Sequence, residues 1–213
     1  GKLYSRLRKY TEALKYYQEA LVISRQVNDK FGEGTTLNNI GVVYRHLGES
    51  TTALDYYQKA LIIARQVKDK VGEGITLSGI GKVYYNLENY LISLEYYQKA
   101  LVIFKETGYK EGEAKTLNNI GLTLESRNKP ELAIIYLKQS VNIYENIRKD
   151  LKVLPKEQQQ SYTKTIAKTY RLLADLLLKQ NRILEEERVL VLLIVLELDD
   201  FLTNVRSNQN TSS

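Results

Sequence analysis

EALKYYQEALVISRQVNDKFGEGTTLNNIG, from Glu12 to Gly41, returns as TALDYYQKALIIARQVKDKVGEGITLSGIG from Thr52 to Gly81. It returns again as ISLEYYQKALVIFKETGYKEGEAKTLNNIG from Ile92 to Gly121. The step is 40 residues without insertion, so Gly1, Gly41, Gly81 and Gly121 are equivalent. A fixed period of this length marks a solenoid of supersecondary units. Within a unit the spacing is helical. Leu37, Ile40, Gly41 and Tyr44 fall at i, i+3, i+4, i+7, and Ala53, Tyr56, Tyr57, Ala60, Leu61 and Ala64 make a second stripe. Gly48 supplies a stop between them, Ser50 or Thr51 a start, and Asp69 and Gly72 punctuate the link to the next unit. Neither helix pair buries its apolar stripe alone, so neighbouring units must stack.

The small residues permit that stacking: Gly41 and its equivalents allow close approach, and Ala53 and Ala60 accept rings from adjacent helices. The chain has 17 tyrosines, and their recurrence places most of them in the core, Tyr44, Tyr57, Tyr84 and Tyr97 most clearly. A core tyrosine must satisfy its hydroxyl, so the hydroxyls are expected at the solenoid edge. Leu37-x-x-Ile40-Gly41-x-x-Tyr44, followed by Ala53, Tyr57 and Ala60, resembles the tetratricopeptide repeat signature. That resemblance implies an all-α fold, a right-handed α-α superhelical solenoid of helix-turn-helix repeats, in which the first helices line the concave side. The family's common unit has 34 residues and a proline closing its second helix. Here Arg25, Arg65 and Lys105 stand at that position, and the second helix is expected to run on by more than a turn, as in the longer-helix subclass of adaptor proteins.

The organisation expected is about four repeats over residues 1–150, the first truncated, then an atypical long helix pair over 151–206 and a polar tail at 207–213. Gly1 corresponds to a mid-helix position, so the natural chain is expected to extend upstream. A helix from near Glu131 should end near Leu151, and Pro155 should open another at about Lys156. Asn181 marks a turn before a last helix from about Ile183 to Val205. About ten helices and no strands follow. LP-x-E-x-QQSY, TYRLLADLLLKQ-x-RI and LELDDFLTNVR, within residues 153–207, resemble the segment that joins bacterial, notably cyanobacterial, tetratricopeptide arrays to a CHAT domain, a caspase-like peptidase module. Glu186 and Glu187 depart from it, standing where a small residue would pack.

Composition narrows the chemistry. The absence of cysteine excludes thiol and thiolate-metal chemistry and fits a reducing, cytoplasmic compartment. Charged residues are 26% of the chain and the net charge is +6, with both signs interspersed on most segments. Residues 127–182 are the exception, with twelve Lys/Arg against five Asp/Glu, but aromatic stacking residues are sparse there and nucleic acid is not the expected partner. No apolar run approaches the ~20 residues that span a bilayer. The single histidine, His46, lies beside Arg45 on the polar face and reads as a surface residue. The GEG triplets at 32–34 and 72–74 lack the Lys-Ser/Thr of a phosphate loop and read as helix starts with an acidic first turn. Glu185, Glu186 and Glu187, with Asp199 and Asp200, read as a solvated or interface face. No enzyme, metal or cofactor signal remains.

The polar face of each first helix carries the functional expectation. It presents Thr35, Asn38, Asn39, Val42, Arg45 and His46 in one unit. The next unit offers Ile75, Ser78, Gly79, Lys82, Tyr85 and Asn86, followed by Lys115, Asn118, Asn119 and Leu122. Carboxamides donate and accept together, which suits an extended peptide backbone. Asn38, Asn39, Asn118 and Asn119 are therefore the candidate backbone contacts, with Arg45 and Lys82 meeting carboxylates. The expected function is a non-catalytic scaffold binding a protein or peptide in the groove. The rivals are a regulatory arm of a CHAT-type peptidase and a nucleic-acid-binding helical repeat. Val189 to Leu196 is apolar all round, so a further contact surface is expected there, filled by a second copy or a following domain.

Overall fold

The computed structural model describes residues 1–6, 9–151 and 156–194, which form helices joined by short turns, with no strand among them. In chain order these are α1 (Lys2–Arg6), α2 (Tyr10–Gln26), α3 (Lys30–His46), α4 (Ser50–Gln66), α5 (Lys70–Asn86), α6 (Tyr90–Thr107), α7 (Lys110–Ser126), α8 (Pro130–Leu151) and α9 (Lys156–Lys179). A tenth helix, α10, covers 183–194 among the described residues, and the remainder of the predicted last helix lies outside them. The chain divides into two compact units, residues 1–119 and 120–213.

Helix ends recur every twenty residues. Asn28, Gly48, Lys68, Glu88, Gly108 and Asn128 all have left-handed backbone, with φ between 56° and 81°. The two amides beyond each end turn back onto the last carbonyls: Asp69 N reaches Ala64 O at 2.8 Å and Lys68 N reaches Arg65 O at 3.2 Å. This satisfies acceptors that a helix terminus would otherwise strand. Glu88→Gly, which gives that turn the residue already present at Gly48, is expected to stabilise by about 0.5–1 kcal/mol in chemical denaturation.

In residues 1–119, α1 packs on α2, α2 on α3, α3 on α4, α4 on α5 and α5 on α6, and α3 also touches α5. Tyr57, fully buried, lies between two glycines. A Cβ on Gly41 would sit 2.9 Å from its ring, and one on Gly79 2.8 Å from it. Gly81 meets Tyr97 in the same way. The glycines thus let a first helix lie against an aromatic ring, as the 40-residue register requires. Tyr57 and Tyr97 are core residues as expected, whereas Tyr44 and Tyr84 are half-buried and stack on Tyr56 and Tyr96 at 5.4 and 5.6 Å. The hydroxyls contradict expectation. Those of Tyr57 and Tyr97 are buried without a hydrogen-bond partner, because the ring that fills the interhelix gap carries its hydroxyl in with it.

The residues beyond the 34-residue unit are shared by helices 17 residues long, such as α3, α4 and α5; α4 ends at Gln66, one residue past Arg65. Arg65 instead serves an ion cluster. Its Nε donates to Glu73 Oε1 at 2.8 Å while Lys70 Nζ reaches Glu73 Oε2 at 3.1 Å, and Arg25, Lys30 and Glu33 repeat the arrangement. Both carboxylates are buried. For Glu33 the hydrogen bonds from Lys30 and then Arg25 hold the carboxyl below its usual range. For Glu73 burial pushes upward, and the bonds from Arg65 and Lys70 together overcome it. A depressed carboxyl contributes stability above its unfolded value of 4.5, lost as pH falls through the folded value. Glu73→Gln is expected to cost about 1–3 kcal/mol at neutral pH and to flatten the acid limb of the stability profile; an unchanged limb would assign that limb to other groups.

In residues 120–213, α8 packs on α9. Leu137, Tyr144, Ile166, Tyr170, Leu173 and Leu177 are buried, and the Tyr170 hydroxyl donates to Glu145. Asn181, at φ 55°, turns the chain into α10, and Lys138 on α8 and Arg182 both pair with Glu185. Val189 and Leu193 are buried, whereas Val191 and Ile194 are about 60% exposed.

Candidate peptide-binding face

The side chains singled out in the sequence lie on the first helices of three successive repeats. Asn38, Asn39 and Arg45 on α3, Lys82 on α5, and Asn118 and Asn119 on α7 are all half-buried, between core and solvent. Leu37, Ile40 and Val43 turn to the core and hold α3 in this rotation; Leu77, Ile80 and Val83 do so for α5. Helical periodicity then leaves the intervening positions on the open side.

Two cations meet on that face. Burial lowers the pKa of Lys82, and the Arg45 charge lowers it further. The Lys82 ammonium also lies over the Tyr85 ring, 4.2 Å from its centroid. Arg45 Nη2 donates to His46 Nε2 at 3.1 Å, and the exposed His46 stacks on Tyr10. Burial pushes the phenol of Tyr57 up, partly offset by Arg45, whose guanidinium approaches the hydroxyl without a hydrogen bond of good geometry. Among the described residues, neither Arg45 nor Lys82 has a carboxylate partner, although Glu33 and Glu73 have two cations each. Charge-assisted hydrogen bonds from such cations can hold an anionic group.

The asparagines divide. The Thr76 hydroxyl, bonded to Gly72 O at 2.8 Å, also lies 3.3 Å from Asn38 Oδ1, so Asn38 ties α3 to α5. Asn118 Oδ1 is buried without a partner, an acceptor left unused by the fold. The periodicity missed the ion clusters at Glu33 and Glu73, though Arg25 with Glu33 and Arg65 with Glu73 recur one period apart and were the available signal. The described residues hold no group of three metal-ligating side chains, and no helix among them is long and apolar enough to cross a membrane.

Comparison with solved structures finds the same fold at low identity. BtubC (BKLC) from P. vanneervenii aligns with a TM-score of 0.73 at 15% identity, over 93% of this chain and 77% of that one. The Rap conjugation gene regulator of plasmid pLS20, solved in complex with the Phr* peptide, aligns at 0.69 and 19%, over 94% of this chain. This chain spans about half of that regulator, 52% of its length. A signal transduction ATPase from Pyrococcus horikoshii with a tetratricopeptide repeat sensor aligns at 0.63 and 22%, over 95% of this chain and 29% of that one. No curated protein matches the sequence. The tetratricopeptide repeat pattern matches residues 1–70 and 72–146, and with the paired helices at a 40-residue register, this chain belongs to the tetratricopeptide repeat family.

Proposed function

We propose that the first-helix face of residues 1–119 binds an extended acidic segment of a partner protein and that the chain acts as a non-catalytic scaffold. The observation that carries this is the Arg45–Lys82 pair, half-buried and without a carboxylate among the described residues. A cation that the fold desolvates without a carboxylate beside it costs stability, and an acidic ligand supplies the missing charge. Asn39, Asn118 and Asn119 offer carboxamides to the segment's backbone, each bond contributing only about 0.5–1.5 kcal/mol net, so several must act together. The Phr* complex of a similarly folded protein supports a peptide as the ligand class.

The test is a panel of fluorescein-labelled acidic decapeptides titrated against the wild type and the Asn39→Ala/Asn119→Ala variant, with melts run in parallel. Binding is expected to weaken about ten-fold with the melting temperature held, which is about 1.4 kcal/mol. A lowered melting temperature at unchanged affinity would make these asparagines architecture.

The exposed apolar side chains of 183–194 favour a second reading, in which the array is a regulatory arm. Leu184 is 75% exposed and Ile194 62%, more than a solvated helix needs. A CHAT-type peptidase domain or a second copy of the chain would cover them; the resemblance behind the former falls partly outside the described residues. Dimerisation predicts a concentration-dependent mass in light scattering that Val191→Glu/Ile194→Glu abolishes. A monomer at high concentration contradicts the dimer.

A further inference from the structure

On the same helices as the cation pair, residues 1–119 hold a cleft of about 370 Å³ between the N-terminal ends of α3 and α5 and the C-terminal end of α4. Ile63, Ala64, Val67, Ile75 and Phe31 supply its apolar lining, with Gly34 and Gly72 at the back. The repeat explains why the space is open. One period on, Ala64 becomes Phe104, whose buried ring lies against Gly74 and Gly112; Cβ atoms there would come within 2.7 and 2.9 Å of it. Gly74 and Gly112 are the equivalents of Gly34 and Gly72. The cleft is lined by the equivalents of the residues that hold that phenyl ring, with Ile63 now the side chain nearest Gly34. Ile75 at its mouth becomes Lys115 one period on, so the mouth is apolar only here.

We infer that this cleft receives an aromatic side chain of the bound segment, which gives the ligand a two-part code of one aromatic residue and a nearby acidic group. The inference rests on the acidic-segment reading above. Three observations select the occupant. The protein itself fills the equivalent space with phenylalanine. The mouth lies on the same face as the cations: Thr35, Asn38 and Ile75 line it, and Arg45 and Lys82 stand further along the same helices. From Ile75 to Lys82 is seven residues and from Thr35 to Arg45 ten, which is ~10–15 Å at the helical rise. An extended chain covers that in about three to five residues. The rim also carries Lys2 and Lys30, whereas its one carboxylate, Asp69, is engaged by Gly72 N at 2.8 Å.

The experiment uses acidic decapeptides, each with one phenylalanine moved stepwise away from a terminal Asp-Asp pair, and a phenylalanine-free control. They are titrated against the wild type, Ala64→Phe, Ile75→Lys and Arg45→Ala/Lys82→Ala. Both cleft variants copy residues that the next repeat already accommodates. Wild type is expected to bind best with phenylalanine three to five residues from the acidic pair, at least ten-fold tighter than the control. Ala64→Phe and Ile75→Lys should remove that preference, leaving control affinity and melting temperature at or above wild type. If the preference survives both cleft variants while Arg45→Ala/Lys82→Ala abolishes binding, the cleft inference falls and the acidic-segment reading stands. If Arg45→Ala/Lys82→Ala leaves every affinity unchanged, the acidic-segment reading falls and takes the two-part code with it.

Discussion

Tyr57→Ala is expected to lower the unfolding free energy by about 3–5 kcal/mol, while Tyr57→Phe leaves it unchanged or raises it slightly. The ring is fully buried and pressed between Gly41 on α3 and Gly79 on α5, so truncation opens a cavity between two first helices and the second helix that joins them. Surrounding side chains cannot fill it, since the facing residues are glycines. The hydroxyl contributes little, because it is buried with no hydrogen-bond partner and its removal strands nothing. Urea denaturation of the two variants separates ring from hydroxyl. A loss of more than about 1 kcal/mol in Tyr57→Phe would show that the hydroxyl is bonded in solution.

The second large effect is on binding. Arg45→Ala/Lys82→Ala is expected to weaken acidic decapeptides by about 100-fold or more, since two charge-assisted bonds of ~1.5–3 kcal/mol each are removed. Stability should not fall with it. Lys82 is desolvated and faces Arg45, so the folded state disfavours its charged form. Replacing both removes a repulsion that the fold tolerates. The pH dependence has a definite sign. Lys82 must be protonated to hold a carboxylate, so affinity is present at neutral pH and lost as pH rises through a folded value below 10.5. Affinity that grows on raising the pH through that range would contradict the role given to Lys82.

The repeat is legible because three copies stand without insertion, and the register alone brings Gly41 and Gly81 against the tyrosines of the second helices. What the sequence concealed depends on differences between copies or on pairs across a helix junction. Ala64 against Phe104 is a single substitution on a repeating background, and periodicity treats both simply as apolar. The left-handed conformation of Lys68 and Glu88 is not legible in the sequence, because it is imposed by packing and the two backbone bonds without the glycine that marks Gly48. Glu33 and Glu73 looked like first-turn acids and are that. Their burial between two cations follows from the approach of α2 to α3 and of α4 to α5, which no single helix shows. Asn38 was read as a ligand contact. Its place opposite Thr76, 38 residues on, gives it a share in the architecture.

The central claim is that the face carrying Arg45 and Lys82 is where a partner segment lies. The direct measurement is nuclear magnetic resonance shift mapping of the isotopically labelled chain with the tightest-binding acidic decapeptide. The account predicts shifts confined to Asn39, Arg45, Gly79, Lys82, Tyr85, Asn118 and Asn119, with Ile63 and Ile75 joining when the peptide carries phenylalanine. Shifts gathered instead on the outward positions of α4 and α6, such as Ile62 and Val102, would contradict it.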